Sequence, residues 1–431
     1  MDSGKIKSLV AEWLESLILP SLIPRDVAIT DIEPISEILA VVGPRRSGKT
    51  FFMYQLIHHL VNKGISKNEI LFIDFEDYRL IGIQPLDIDT ILSVFYQFTG
   101  QYPQYLFFDA VHHLPSWSKV LRTLHNQDRY HIVISGSNSQ LLSGEIATEL
   151  RGRYRDLLML PFSFAELLKL KNISFSVRTF YTPEKGGILR LFDAYIKEGG
   201  FPEVLKKENT LEKKDLLQNY YRTLYYKDLL ERYHIRAKTV LESMMSYCLD
   251  MMGDIFSISR FSKTVQAADV PVSKKTISNY LHYLREAFFI IVNEKFDFSP
   301  RKRLMNPKKI YLLDGGFSGL SMNFSENKGK FLENTVAVQL YRMREDMYYF
   351  RKEKECDFII RKGTKPHMAI QTCWELNEQN RKRELAGLME AMETLKMKTG
   401  LILTYDQEGT EQIGGMKIPV KPVYQWLLEK E

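Results

Sequence analysis

Ile38-Leu-Ala-Val-Val-Gly43-Pro-Arg-Arg-Ser-Gly48-Lys49-Thr50 places five apolar residues directly before a Gly-x-x-x-x-Gly-Lys-Thr pattern, and Phe51 to Val61 follow with helical spacing. A buried strand, a glycine turn and a helix N-terminus in that order make a P-loop, a cradle for phosphate. Gly43 and Gly48 let the backbone turn its N–H groups inward, Pro44, Arg45, Arg46 and Ser47 complete the loop, and the helix start adds partial positive charge. Lys49 is expected to reach the β- and γ-phosphates and the Thr50 hydroxyl to ligate Mg²⁺. ATP and Mg²⁺ are therefore the expected ligands.

Around this loop the pattern is that of a parallel sheet. Apolar runs at Ile38–Val42, Ile70–Phe75, Tyr105–Phe108 and His131–Ser135 alternate with helix-like segments, a βαβ architecture of at least four strands. Before it, Ile6, Leu9, Val10, Trp13, Leu14 and Leu17 recur at helical spacing, an amphipathic helix expected to dock on a neighbour. Asp109 follows the third run, where a second carboxylate would hold the metal. The next residue, which in hydrolysing proteins of this architecture is a Glu that orients water, is Ala110. An alanine accepts no proton, so binding is expected to persist while hydrolysis weakens. Three explanations stand side by side: natural loss of hydrolysis, another base such as His112 or Glu76, or a substitution that traps bound nucleotide, which the intact metal ligand favours.

Past the fourth strand, Ser137 and Asn138 stand where a γ-phosphate sensor would, with a helix-capping turn as the plainer reading. Arg151 and Arg153 follow, and Arg153 is the candidate to reach a neighbouring subunit's phosphate, with a local salt bridge as the alternative.

Length and composition bound the rest. A chain of 431 residues exceeds one core, and 45% hydrophobic with 26% charged residues excludes disorder and collagen-like structure. Cys248, Cys356 and Cys373 lack the paired spacing of zinc ligands and read as reduced cytosolic thiols. No apolar run is long enough for a bilayer and no secretory leader is evident, so a cytoplasmic protein without a membrane partner is expected. The net charge of +6 matters for its placement: Lys274–Lys275 and Arg301 to Lys309 are basic clusters that suit a polyanion.

With these residues in view, the chain resembles a prokaryotic, mainly archaeal-type group of AAA-superfamily P-loop ATPases followed by a C-terminal domain of unknown function. The marks are the P-loop, Phe108-Asp-Ala-Val-His112, Ser135-Gly-Ser-Asn-Ser139, Glu149-Leu-Arg-Gly-Arg-Tyr154, Glu198-Gly-Gly-Phe-Pro202 and Tyr311-Leu-Leu-Asp314. The resemblance implies ATP-dependent conformational work by a homo-oligomer, such as a hexamer, with sites between subunits. It also implies roles on duplex, fork or Holliday-type junction DNA. Ala110 departs from the group's Asp-Glu pair. A nucleotide-gated signalling or defence switch acting on a protein partner is the alternative.

The expected division is an N-terminal helix (1–30), an AAA-type ATPase core (31–165), a helical lid or linker (166–235), a winged helix (236–308) and a nuclease-like α/β domain (309–431). In Ser273 to Arg285 the apolar residues Val272, Ile277, Leu281 and Leu284 face inward, leaving Lys274, Lys275, Ser278, Asn279 and His282 outward as a DNA-reading face. A hairpin carrying Arg301, Lys302 and Arg303 would be a basic wing. The last segment resembles a restriction-endonuclease-type fold in which Glu333, Asp357, Gln371 and Cys373 occupy the acid, metal-binding and Glu-x-Lys positions. Gln371 and Cys373 replace an acid and a lysine, which leaves metal-dependent cleavage of DNA poorly supported.

Overall fold

Strands covered on both faces are apolar throughout, and four such runs assemble as read. β1 (Ile38–Val42), β2 (Ile70–Asp74), β3 (Tyr105–Asp109) and β4 (His131–Gly136) lie parallel, joined by β5 (Tyr154–Leu158) in the order β2-β3-β4-β1-β5. β5 was not anticipated, because Tyr-Arg-Asp-Leu-Leu, with two charged residues at its centre, lacks the apolar run of a buried strand and forms an edge. The computed structural model describes residues 3–16, 22–27, 37–136, 150, 152–322 and 327–429, which fall into two compact units, Met1–Pro161 and Phe162–Glu431.

In the first unit the sheet is flanked by α2 (Lys49–Asn62), α3 (Asp87–Thr99) and α4 (Trp117–His125). The N-terminal helix α1 (Ser3–Glu15) buries Ile6, Leu9, Val10 and Trp13, the face its spacing defines. Trp13 is the anchor: its indole N–H donates to Ile70 O at 2.7 Å, and its ring lies 5.6 Å from that of Phe72. A side chain of that size contributes roughly 1.5–3 kcal/mol through burial.

The second unit starts with α5 (Phe164–Leu170), whose N-terminus is closed by a Ser163/Glu166 capping box, and continues through α6 (Lys185–Glu198), α7 (Pro202–Lys206) and α8 (Thr210–Thr223). α8 runs on as a π-helical segment over Leu224–Glu231. Then follow α9 (Lys238–Asp250), β6 (Asp254–Phe256), α10 (Ile258–Gln266), α11 (Lys274–Glu286), β7 (Ile290–Lys295), the short α12 (Pro300–Met305) and β8 (Lys308–Leu312). The remaining elements are α13 (Lys328–Arg342), β9 (Asp346–Arg351), β10 (Glu355–Lys362), β11 (Lys365–Thr372), α14 (Arg381–Thr394), β12 (Thr399–Thr404), β13 (Gly409–Ile413), β14 (Met416–Pro422) and α15 (Val423–Leu428).

Nine of these strands form one mixed sheet, β13-β14-β12-β11-β10-β9-β7-β8-β6. β7 pairs antiparallel with β8 and parallel with β9, so the boundary expected at 308/309 falls inside β8 and the sheet runs across it. α13 is tied to β8 by Asn334, whose side chain accepts from Leu312 N–H at 2.8 Å and donates to Leu312 O at 3.1 Å. Two segments noted separately in the sequence prove to be one structure. Asp314 accepts from Gly200 N–H at 2.7 Å and Gly316 N–H at 2.9 Å, and a Cβ on Gly199, at φ 78°, would lie 1.7 Å from the Asp314 carboxylate. Glycine is required there by both space and backbone hand.

Candidate functional site

At the end of β1 the chain turns at once, and Gly43 has no room for a side chain: a Cβ would lie 2.0 Å from Met159 O. The reason is that Met159 N–H donates to Val42 O at 2.7 Å, extending β5 across the mouth of the loop. Arg46 and Gly48 take left-handed backbone, φ 65° and 95°, and Gly48 caps α2, so the loop curls around the helix start. Arg25 supports it from behind. Its buried guanidinium donates to Ser47 O at 2.7 Å and Leu160 O at 2.6 Å, and its backbone N–H to Gln55 Oε1 at 2.9 Å. Arg25 belongs to no motif, and only its burial reveals it.

Lys49 Nζ donates to Gly43 O at 3.0 Å and Pro44 O at 2.8 Å, within the curl of the loop. The Thr50 hydroxyl donates to Asp109 Oδ2 at 2.5 Å, which joins the two expected metal ligands. The sheet order explains the meeting, since β4 alone separates β1 from β3. Ser135 on β4 bridges that gap: its hydroxyl bonds to Asp109 Oδ1 and accepts from Ala110 N–H at 2.9 Å. Ser137 and Asn138, the expected sensor positions, lie outside the described residues together with Arg151. Ser135, a lone polar side chain at the end of a buried strand, was the available signal.

The residues fit a magnesium nucleotide. Ser47 Oγ is buried without a hydrogen-bond partner, and hydroxyl and carboxylate oxygens are the hard donors magnesium takes. Ala110 sits in the left-handed region at φ 51° with its N–H also bonded to Asp109 Oδ1 at 3.1 Å, and its methyl is inert. Of the other bases considered, Glu76 forms an ion pair with Arg45 at 3.1 Å and lies 3.5 Å from His113 Nε2. His113, then Arg45, hold its carboxyl down at about 2 against the opposing effect of burial. His112 is half-buried with its ring 4.4 Å from that of His113, and it is His113 that meets Glu76. Arg153 is exposed and donates to Asn126 Oδ1 at 2.7 Å, a neutral partner.

In the second unit, α11 is capped by Ser273, whose hydroxyl accepts from Thr276 N–H at 3.0 Å, and buries Ile277, Tyr280, Leu281 and Leu284. Lys274, Lys275, Ser278, Asn279 and His282 are exposed. The anticipated basic hairpin is corrected by the structure: Arg301, Lys302 and Arg303 lie on helix α12. Pro300 at its first turn and the Ser299 cap favour helix over strand there.

Glu333, on α13, and Asp357, on β10, converge on Lys309, which was expected at the end of a basic cluster suited to a polyanion and is instead buried. Lys309 on β8, 2% exposed, places Nζ 2.7 Å from Glu333, 2.8 Å from Glu355 and 3.0 Å from Asp357. Tyr311 O–H adds a bond to Glu333 at 2.6 Å. Burial pulls the Lys309 ammonium down, yet Glu333, with Asp357 and Glu355, holds it well above the usual lysine value. Gln371 donates to Glu384 at 2.8 Å, and burial pushes the Cys373 thiol up to about 12. This set does not fit a divalent ion, because an ammonium already stands among the carboxylates. Among the described residues no His, Cys, Asp and Glu cluster is arranged for a metal, and no helix is long and apolar enough to cross a membrane.

A family model for an AAA domain matches residues 36–168, and one for a domain of unknown function (DUF8612) matches residues 189–327. An uncharacterized protein of Methanocaldococcus jannaschii is 33% identical over 98% of this chain and 95% of its own. A second uncharacterized protein, from Haemophilus influenzae, is 28% identical over 91% of this chain and 94% of its own. Among solved structures, a Walker-type ATPase of Pyrococcus abyssi is similar over 74% of this chain and 95% of that one, at 14% identity and a TM-score of 0.40. The Aeropyrum pernix ORC1 protein, solved in complex with DNA, is similar over 72% of this chain and 87% of that one, at 12% identity and a TM-score of 0.27. The loop, the sheet order and the near full-length relative agree, and the chain belongs to the family of the Methanocaldococcus jannaschii protein, P-loop ATPases in which an AAA domain precedes a domain of unknown function.

Proposed function

We propose that the protein binds ATP with magnesium and couples nucleotide binding and slow hydrolysis to remodelling of DNA. The contact of Thr50 with Asp109 beside Lys49 carries the nucleotide part of this reading. Lys49 and the loop amides would hold the phosphates, with Thr50 and Asp109 at the metal and Ser135 fixing the carboxylate. Magnesium, when bound, neutralises charge on the transferring phosphoryl group. Slow turnover follows from Ala110, and Glu76 is a poor substitute because a base held near 2 has little driving force to accept a proton at neutral pH. Ala110→Glu is expected to raise steady-state phosphate release about 10²-fold or more. An unchanged rate would sink the reading of Ala110 as the missing base position.

The DNA part is supported by the order α9, β6, α10, α11, β7, β8, with β6 and β7 both antiparallel to β8, an order that a winged helix would share. The exposed Lys274, Lys275, Ser278, Asn279 and His282 would meet phosphates and base edges, with Arg301, Lys302 and Arg303 beside the wing. Affinity for duplex, fork and four-way junction DNA is expected to fall steeply with salt, and Lys274→Glu with Lys275→Glu to lower both affinity and salt slope. A homo-oligomer, a hexamer being one such ring, would let the exposed Arg153 reach a neighbour's nucleotide. The second reading, a nucleotide-gated switch on a protein partner, is favoured by the inert Ala110. DNA-stimulated turnover in Ala110→Glu supports the remodeller, whereas partner release by nucleotide alone supports the switch. A metal-dependent nuclease is the weakest reading, since Lys309 stands where its metal would.

A further inference from the structure

Three large apolar side chains stand in water on the turn between β7 and β8. Phe298 is 69% exposed, Leu304 75% and Met305 76%. Leu304 and Met305 lie on α12 three and four positions beyond Arg301, so these three share one helix face, with Lys302 at its flank. Arg301 and Lys302 are exposed as well. Among the described residues no carboxylate pairs with Arg301, and Lys302 meets Asp297 only at 4.0 Å.

The backbone beneath them is fixed. Ser299 N–H donates to Asp297 Oδ1 at 2.9 Å, and the inward Arg303 guanidinium donates to Asp297 O at 2.8 Å. Lys308 Nζ bonds to Arg303 O and to Glu294 Oε1 at 2.9 Å, and the Tyr349 hydroxyl donates to Pro307 O at 2.8 Å. The buried Phe296 ring meets Phe298 edge-on at 5.2 Å and Tyr348 at 5.4 Å, which seats the tip on the sheet. A tip held in this way keeps its apolar side chains outward and loses little conformational entropy on meeting a partner.

Charge says which partner. From Asp297 to Arg303 the tip carries three cations, Arg301, Lys302 and Arg303, against one carboxylate, a balance that suits a polyanion. Phe, Leu and Met are the side chains that part stacked bases, and cations beside them suit the neighbouring phosphates. α11, with its exposed Lys274 and Lys275, runs into β7 through a turn at Phe288, φ 57°, so the outward face of α11 and the tip belong to one stretch of chain.

We infer that this tip is a wedge for opened DNA, with Phe298, Leu304 and Met305 against base faces at a branch point and Arg301 and Lys302 on the flanking phosphates. Resting on the DNA reading above, this role narrows the substrate to forked DNA, whose bases at the branch are open, whereas in an intact duplex they cover one another.

The test uses full-length protein, a forked duplex with 2-aminopurine in the first base pair beside the branch, and a fully paired duplex of equal length with the same label. The fork is expected to bind at least about fivefold tighter than the duplex, and the aminopurine to brighten as the step opens. Leu304→Ser combined with Met305→Ser, both at exposed sites, should remove the preference and the brightening while duplex affinity stays. Phe298→Ala should act likewise, and Arg301→Glu should weaken both DNAs. Brightening that survives in the double variant overturns the wedge while the DNA reading stands; a wild-type protein that binds neither DNA overturns both. With fork binding unchanged, a smaller particle in size-exclusion chromatography of the double variant also overturns the wedge and marks the face as a contact between copies. Loss of binding to phosphatidylserine vesicles in that variant, again with fork binding unchanged, overturns it in favour of a lipid surface.

Discussion

Lys49 in the first unit and Lys309 in the second are both surrounded by oxygen, but the oxygens differ in charge. Lys49 donates to two backbone carbonyls, neutral dipoles that a triphosphate with full negative charge can outcompete. Lys309 donates to three carboxylates in a buried setting, and no neutral or singly charged ligand could offer it a better place. Position on the fold follows the same division. Lys49 begins a helix at a partly open loop, whereas Lys309 is inside a sheet strand covered by α13. One ammonium has neutral partners that a stronger acceptor can displace and the other holds a core together, so identical side chains are exchangeable in one unit and locked in the other.

The largest effect should come from breaking the locked side. Lys309→Met leaves the buried Glu333 and Asp357 without their ammonium, while Glu355 keeps Arg351 at 3.6 Å, and is expected to cost about 3–5 kcal/mol in urea unfolding. Adding Glu333→Gln to that chain should recover part of the loss; no recovery would mean that the cost comes from packing. On the exchangeable side, Lys49→Ala is expected to weaken ATP binding by about 100-fold in calorimetry with magnesium, while urea stability without nucleotide changes by less than about 1 kcal/mol. A large stability loss there would erase the distinction between the two lysines.

The smallest effect sharpens the comparison through pH. Burial, then Asp357, raises the Glu333 carboxyl from its usual 4.5 to about 7, although Lys309 and Tyr311 pull the other way. The folded protein thus keeps a proton that the unfolded chain releases. That contribution to stability is complete below about pH 4.5 and disappears as the pH rises through about 7. Glu333→Gln should flatten the stability curve across this window, measured by urea melts at stepped pH. Some slope will remain, because burial also raises Asp314 to about 6 with the same sign. A wild-type curve that climbs over the window would reverse the assignment.

Much of the fold was readable where the cause of a structure is local. The four buried strands of the first sheet, the phosphate loop and the outward face of α11 each depend on residues contiguous in the chain, and apolar spacing reports them directly. β5 escaped because an edge strand needs fewer apolar residues. The stretch from Arg301 to Arg303, expected in a basic hairpin, lies on a helix because Pro300 and the Ser299 cap start one there. Ser135 and Arg25 were missed for another reason: each acts on atoms far from it in sequence, on Asp109 and on Ser47, and no motif encodes such a pair.

The sequence by itself determined that a phosphate loop exists, where it begins, and that an alanine directly follows Asp109, because these depend on covalent neighbours and backbone freedom. Only the tertiary structure decided that Thr50 meets Asp109, that Ser135 bridges the strands between them, and that Lys309 fills the acid cluster. Coulomb and hydrogen-bond energies depend on distance through space, and the strand order that sets those distances is a property of the packed sheet.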